Sequence, residues 1–204
     1  MNNDRYSMSF TTGGLFHRES VKLAVLYLEF NDWNIVRDKV LSENLLQART
    51  LNTSKRVCRE IISRLRNLCP NELDLLVTSN SQEQGYILWL AICRRYRFIG
   101  DFAIEVLRER YITLKNHLSY EDFDVFFNKK SEWHTELDDI SPTTRNKLRQ
   151  VLFKMLREAE LLTPQNIINA AILSYRILEA IPTDRRQDLL FFPAFESDLK
   201  GITR

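Results

Sequence analysis

Apolar residues recur every three or four positions along most of this chain, the period of an α-helix with one buried face. Residues 15–30 carry Leu15, Phe16, Val21, Leu23, Ala24, Val25, Leu26, Leu28 and Phe30, dense enough to predict a largely buried helix. Between the periodic segments stand residues that start helices. Asp32 is placed to cap a short helix through Val40, and Thr53 or Ser54 to cap one over 53–68. Pro70-Asn71 stops that helix and opens another over 72–77. Ser81 to Gln84 reads as a capping box before a helix over 82–96. Gly100 ends that helix, and Asp101 caps 102–116. Ser119 caps 120–130, with Glu121, Asp122 and Asp124 in a first turn that favours carboxylates. Ser141-Pro142 pairs a cap with proline at the first helical position, and Thr163-Pro164 repeats the pattern. A last short helix is expected over 184–190. Leu161-Leu162 and Ile167-Ile168 are candidates for a small two-stranded element.

The expectation is an all-α protein, a compact globular multi-helix fold with two helix-turn-helix-like elements. A boundary falls near 115–119, dividing an N-terminal helical half (1–116) from a C-terminal one (117–204). No flexible linker marks it, so the halves are expected to form one globule. At 204 residues, 44% hydrophobic and 27% charged, the chain can bury a substantial core. The longest apolar run, YILWLAIC over 86–93, is far short of the roughly twenty residues a membrane span needs. With no signal-like N-terminus, a soluble cytoplasmic protein is expected, with no membrane partner and a monomer favoured. Cys58, Cys69 and Cys93 form no CxxC, which suits three structural thiols in a reducing compartment.

Net charge is only +2, but it is unevenly distributed. Residues 1–70 hold eleven basic and seven acidic residues, 71–141 eight and thirteen, and 142–160 five and two. Two helical segments concentrate the positive charge on the face opposite their apolar stripe. In 53–68 the stripe is Val57, Ile61, Leu65 and Leu68, widened by Cys58 and Ile62. Arg56, Arg59, Ser63 and Arg66 face away, with Lys55 beside them and Arg49 just upstream. In 142–159 the stripe is Leu148, Val151, Leu152, Met155, Leu156 and Ala159. Thr143, Asn146, Gln150, Lys154 and Arg157 face away, with Lys147 at the edge. Arg and Lys neutralise phosphates, and Asn and Gln can bond adenine edges in a bidentate way. A nucleic acid is the expected partner, with Asn146 and Gln150 as the base-reading candidates. Each basic helix follows a shorter one, though a helix-turn-helix normally has a turn of only about 3–4 residues. The opposing reading is that each basic face is simply solvated.

Other features carry less. Thr11-Thr-Gly-Gly14 precedes a helix but lacks the Gly-Lys-Ser/Thr of a phosphate loop, and reads as a turn. Arg94-Arg95-Tyr96-Arg97 closes a helix where cations suit the dipole. His17, His117 and His134 have no ligand spacing, and Asp138-Asp139 reads as a polar loop. No hydrolase, zinc-protease or dinucleotide fingerprint occurs. No catalytic residue, metal or cofactor is therefore expected.

Three stretches, MSFTTGGLFHRESVKLAVLYL (8–28), SKRVCREIISRLRNL (54–68) and YILWLAICRRYRFIGDFAIEVLRE (86–109), resemble the BrxA family of bacteriophage-exclusion (BREX) defence systems. The resemblance runs over nearly the whole chain and lies in the ensemble, not in one diagnostic motif. It implies an all-helical, non-catalytic DNA-binding component with helix-turn-helix elements beside a positive groove, which makes double-stranded DNA the expected partner. The methyltransferase, ATPase and phosphatase activities of such systems belong to separate proteins, which become candidate partners. A scaffold that docks those proteins and an RNA-binding helical module remain the alternatives.

Overall fold

The computed structural model describes residues 5–197. Among these described residues ten α-helices follow one another: α1 (His17–Phe30), α2 (Trp33–Ser42), α3 (Leu51–Leu65), α4 (Pro70–Thr78), α5 (Ser81–Arg95), α6 (Arg97–Phe102), α7 (Glu109–Ile112), α8 (Tyr120–Ser131), α9 (Pro142–Glu158) and α10 (Tyr175–Ala180). A π-helical segment, Ala103–Arg108, joins α6 to α7, and 3-10 turns occupy Thr135–Leu137 and Thr183–Phe191. Among the described residues the only β-pairing is two isolated antiparallel bridges, His117 with Ile167 and Leu162 with Ile168. The second joins the two segments expected to pair, but as an isolated bridge and not as a two-stranded element.

The apolar run that is too short for a membrane forms the centre of α5, where every residue from Gly85 to Cys93 is buried. A helix apolar all round must be packed all round, and α1, α3, α4 and α9 all contact it. Phe98 at the start of α6 gathers a second cluster. The rings of Tyr6, Phe10, Phe123, Phe126 and Phe127 surround it at centroid distances of 5.1 to 6.2 Å. Edge-on geometry dominates, as aromatic quadrupoles prefer, with Phe10 alone stacked on Phe98. This cluster ties the N-terminal segment and α8 to the middle of the chain. One contiguous core takes in residues from both halves of the sequence, from Tyr6 to Phe192.

Several helix ends differ from their expected positions. The cap of α3 is Thr50, whose hydroxyl accepts from the Thr53 N–H at 3.2 Å, while Ser54 is buried within the helix. The cap of α5 is Asn80, which accepts from the Glu83 N–H, so Ser81 is already helical. Gly100 and Asp101 lie inside one run from Arg97 to Ile112, and the break falls at Tyr96, which is extended (φ −121°, ψ 91°). Packing of Tyr96 and Phe98 into the core outweighs the helix-breaking tendency of glycine. Thr163-Pro164 opens a turn, not a helix. On α1, Val25 and Leu28 are exposed, so that helix is buried on one side only. It starts at His17 because Phe16 is left-handed (φ 55°). The caps Asp32, Ser119 and Ser141 stand where the sequence puts them.

Arg94 holds the core charge. Its guanidinium donates to both Glu72 carboxylate oxygens (2.6 and 2.7 Å) and to Asp188 (2.7 Å), joining α5 to α4 and to the C-terminal 3-10 turns. Burial acts against its charge, but the two carboxylates outweigh that and raise its pKa. This is a structural role, unlike the dipole cap expected for Arg94. Cys58 and Cys93 are buried free thiols; burial pushes Cys58 up to about 11 and Cys93 well above its ordinary value, which leaves both inert.

Breaking a buried ion pair by neutralising one partner strands the other charge. Glu72→Gln is expected to lower the unfolding free energy by about 3 kcal/mol, read as a drop in the urea midpoint with an unchanged m-value.

Candidate nucleic-acid interface

Two basic helices were expected from the sequence, and their charges meet different fates. On α3 the apolar stripe packs against α1, α2 and α5, with Cys58, Ile61, Ile62 and Leu65 buried. The one acid of this helix, Glu60, is turned inward. It accepts from Arg64 Nε at 2.8 Å and from the Tyr96 hydroxyl at 2.5 Å. Arg64 is itself buried and donates through Nη1 to the Gly14 carbonyl at 2.7 Å. One acid and one base of the helix are thereby internalised together. The outward face is left with Lys55, Arg56, Arg59 and Arg66, all exposed, and none forms an ion pair among the described residues. Arg49 is exposed in the connection just upstream of the cap. Ser63 is half-buried, and its hydroxyl donates to the Glu60 carbonyl at 2.8 Å, so it is a poor donor for a ligand.

These cations rim a groove between α2 and α3 of about 650 Å³. Its walls include Arg37 and Asn34 from α2 and Asn52 from α3, and its apolar surfaces are Trp33, Leu41 and Ile62. Arg66 also borders a second hollow of about 580 Å³, reached by Arg97 and Arg185. Arg66 thus links the α2–α3 groove to a hollow of mixed charge, where Asp101 and Asp188 stand among the arginines and Arg97 lies 3.9 Å from Asp101. Sequence reading missed Arg37, Trp33 and Arg185. Arg37 and Trp33 belong to the short helix expected only as the first part of a helix-turn-helix-like element, and Arg185 is brought in from far along the chain.

The α9 face is more neutral than its composition suggests. Asp124 of α8 takes Arg145 Nε at 3.0 Å and also pairs with Arg149 Nη1. Arg145 further donates to Asn128 at 2.7 Å and lies 4.3 Å from the centre of the Phe127 ring. These two arginines clamp α9 onto α8. Arg157, expected to face outward, is half-buried and donates to Asn166 Oδ1 at 2.7 Å. Lys154 is exposed but sits 3.5 Å from Glu158. Thr143, Asn146, Lys147 and Gln150 are exposed as expected, and Asn146 accepts from Arg149 at 3.1 Å. No α9 residue lines the α2–α3 groove. Residues 43–50 connect α2 to α3 and residues 132–141 connect α8 to α9. Both exceed the turn of about 3–4 residues usual in a helix-turn-helix.

The Gly13-Gly14 turn is occupied by the protein itself. Gly13 is left-handed (φ +70°), and a β-carbon at Gly14 would overlap the Glu158 carboxylate. That carboxylate accepts from the Leu15 N–H at 2.5 Å, so the amide is not open to phosphate. Among the described residues no group of three or more His, Cys, Asp or Glu could hold a metal ion, and no helix is long and apolar enough to cross a membrane.

Tyr96 provides a handle on the Glu60 network. Burial, then the hydrogen bond and charge of Glu60, push its hydroxyl up to about 12 from 10.0. A raised folded-state pKa stabilises below the unfolded value and loses that stabilisation as pH rises through the folded one. Stability should therefore fall between pH 10 and about 12. Tyr96→Phe is expected to make the fall shallower, measured as the urea midpoint against pH; an unchanged slope would remove Tyr96 from the network.

Residues 4–184 match the family model for BrxA. The chain is 28% identical over 158 residues to the BREX protein BrxA of Escherichia coli O9:H4 (strain HS), covering 77% of this chain and 74% of the relative. It is 25% identical over 161 residues to the BREX protein BrxA of Bacillus cereus (strain H3081.97), covering 78% of this chain and 80% of the relative. The fold is similar to the crystal structure of an uncharacterized protein from Magnetospirillum magneticum, with a TM-score of 0.79, 20% identity, and coverage of 93% of this chain and 98% of that one.

Proposed function

The chain belongs to the BrxA family, and from that premise we propose that it is a non-catalytic component of a BREX phage-defence system that binds double-stranded DNA through the outer face of α3. The family supports the coarser part, a BREX component. The DNA-binding part rests on one observation: four exposed cations stand on one helix face from which the only acid has been withdrawn.

The phosphate spacing of a duplex suits such a strip, since guanidinium and ammonium groups displace condensed counterions when they meet phosphates. Lys55, Arg56, Arg59 and Arg66 would carry most of that contact, with Arg49 at one end, while Arg37 across the groove adds less because it already pairs with Asp38. The α9 face would make a secondary contact. Lys147 supplies its charge, Asn146 and Gln150 are its polar groups able to read a base edge, and Thr143 lies beside them. Lys154 and Arg157 add less, because each already has a partner. Other BREX proteins are further candidate partners, and the mixed-charge faces away from α3 are open to them.

Fluorescence anisotropy of a labelled duplex across a salt series tests this reading. About five phosphate contacts at about −0.9 each give a log–log slope near −4 or steeper. Replacing Arg56 and Arg59 together by alanine should make the slope shallower by about 2, whereas Lys154→Ala should change it by less than one contact. No binding at low salt would overturn the reading and leave a scaffold role. Hairpin RNA outcompeting duplex DNA would favour an RNA-binding module.

A further inference from the structure

A surface that met only a duplex backbone would need cations and polar groups, and nothing apolar beneath them. The α2–α3 groove has more. Trp33, Leu41 and Ile62 line it below a rim that includes Arg56 and Arg59. Trp33 is half-buried, packed against the edge of the core yet partly open to solvent. Its indole stacks on Tyr27 at a centroid distance of 4.0 Å with 14° between the planes. Tyr27 covers one face of the indole and is not a groove wall, whereas Trp33 itself is. The backbone before the indole is fixed as well, because Asp32 caps α2 through the Asn34 N–H at 2.7 Å.

An aromatic surface beside unpaired guanidinium groups fits a flat base attached to a phosphate. Aromatic side chains stack on bases of any sequence, and neighbouring cations hold the strand. The volume of about 650 Å³ lies within the range of about 300–1,000 Å³ for small-ligand sites. Asn34 and Asn52 on the walls can each donate and accept towards a base edge. A base within a duplex stack cannot enter such a groove, but an unpaired one can.

We propose that the α2–α3 groove holds an unpaired nucleotide of a DNA strand, its base stacked on Trp33 and its phosphates held by Arg56 and Arg59. This deepens the duplex-binding reading and rests on it. The molecule then distinguishes DNA with an exposed single strand from a closed duplex.

The test compares a blunt duplex with the same duplex carrying a short single-stranded extension, by anisotropy at one salt concentration. The extended duplex should bind about tenfold more tightly, as one stacked base contributes. In Trp33→Leu that ratio should fall to about one. A second measurement needs no variant: a 5-bromouracil in the extension, irradiated with the unmodified protein, should form its adduct at Trp33 by mass spectrometry. Equal affinity for the two duplexes with no adduct at Trp33 would overturn this inference and leave duplex binding standing. Failure of both duplexes to bind at low salt would overturn duplex binding and this inference with it. Poly-glutamate carrying a photo-crosslinker and labelling Trp33, where the oligonucleotide does not, would assign the groove to an acidic protein segment and also overturn it.

Discussion

The inward pairing of Glu60 with Arg64 decides what α3 presents to solvent. Exposed ion pairs one helical turn apart contribute only a few tenths of a kcal/mol, so this pair has little value as a surface feature. Its importance is positional. With Arg64 at 3% exposure and Glu60 bonded to the Tyr96 hydroxyl, the only carboxylate of the helix is drawn into the protein. Arg64 in turn fixes the Gly14 carbonyl, which anchors the start of α1 against α3. One internal pair thus sets the packing of α1 on α3 and the unneutralised charge of the outer face.

The contrast with α9 shows that composition alone does not define a binding face. Both helices are rich in Lys and Arg, yet Asp124 engages two of the α9 arginines and Asn166 a third. Those contacts fasten α8 to α9 and use the guanidinium groups as structural connectors. The outward cations Lys55, Arg56, Arg59 and Arg66 have no comparable partner, because α2 presents Arg37, Trp33 and Leu41 towards them and no acid stands among the groove walls. Positive charge is thereby left unneutralised along one side of the α2–α3 groove, in a chain whose total charge is only +2.

Much of the fold was legible because helix period and capping chemistry are local signals. The stripes of α3 and α9, the caps Asp32, Ser119 and Ser141, and the Leu162–Ile168 bridge all follow from neighbours in sequence. The misplaced ends arose where two local signals competed. Asn80 lies one residue before Ser81 and captures the cap, and Gly100 remains helical because flanking aromatic residues are buried. The fate of each charge was not legible. Nothing near Arg145 in sequence announces Asp124 as its partner, and nothing near Arg66 announces Arg185 as its neighbour. Those relations depend on how the helices pack, and they determine which basic face remains open.

If α3 carries the open cationic face and α9 does not, the arginines of the two helices respond differently to DNA. The most direct measurement is an NMR titration that follows the arginine Nε–H signals as duplex DNA is added to the intact protein. Arg56, Arg59 and Arg66 should shift or broaden together at the earliest additions, while Arg145 and Arg149 remain unchanged in their contacts with Asp124. Perturbation led by Arg145 and Arg149, with the three α3 arginines unaffected, would contradict the account.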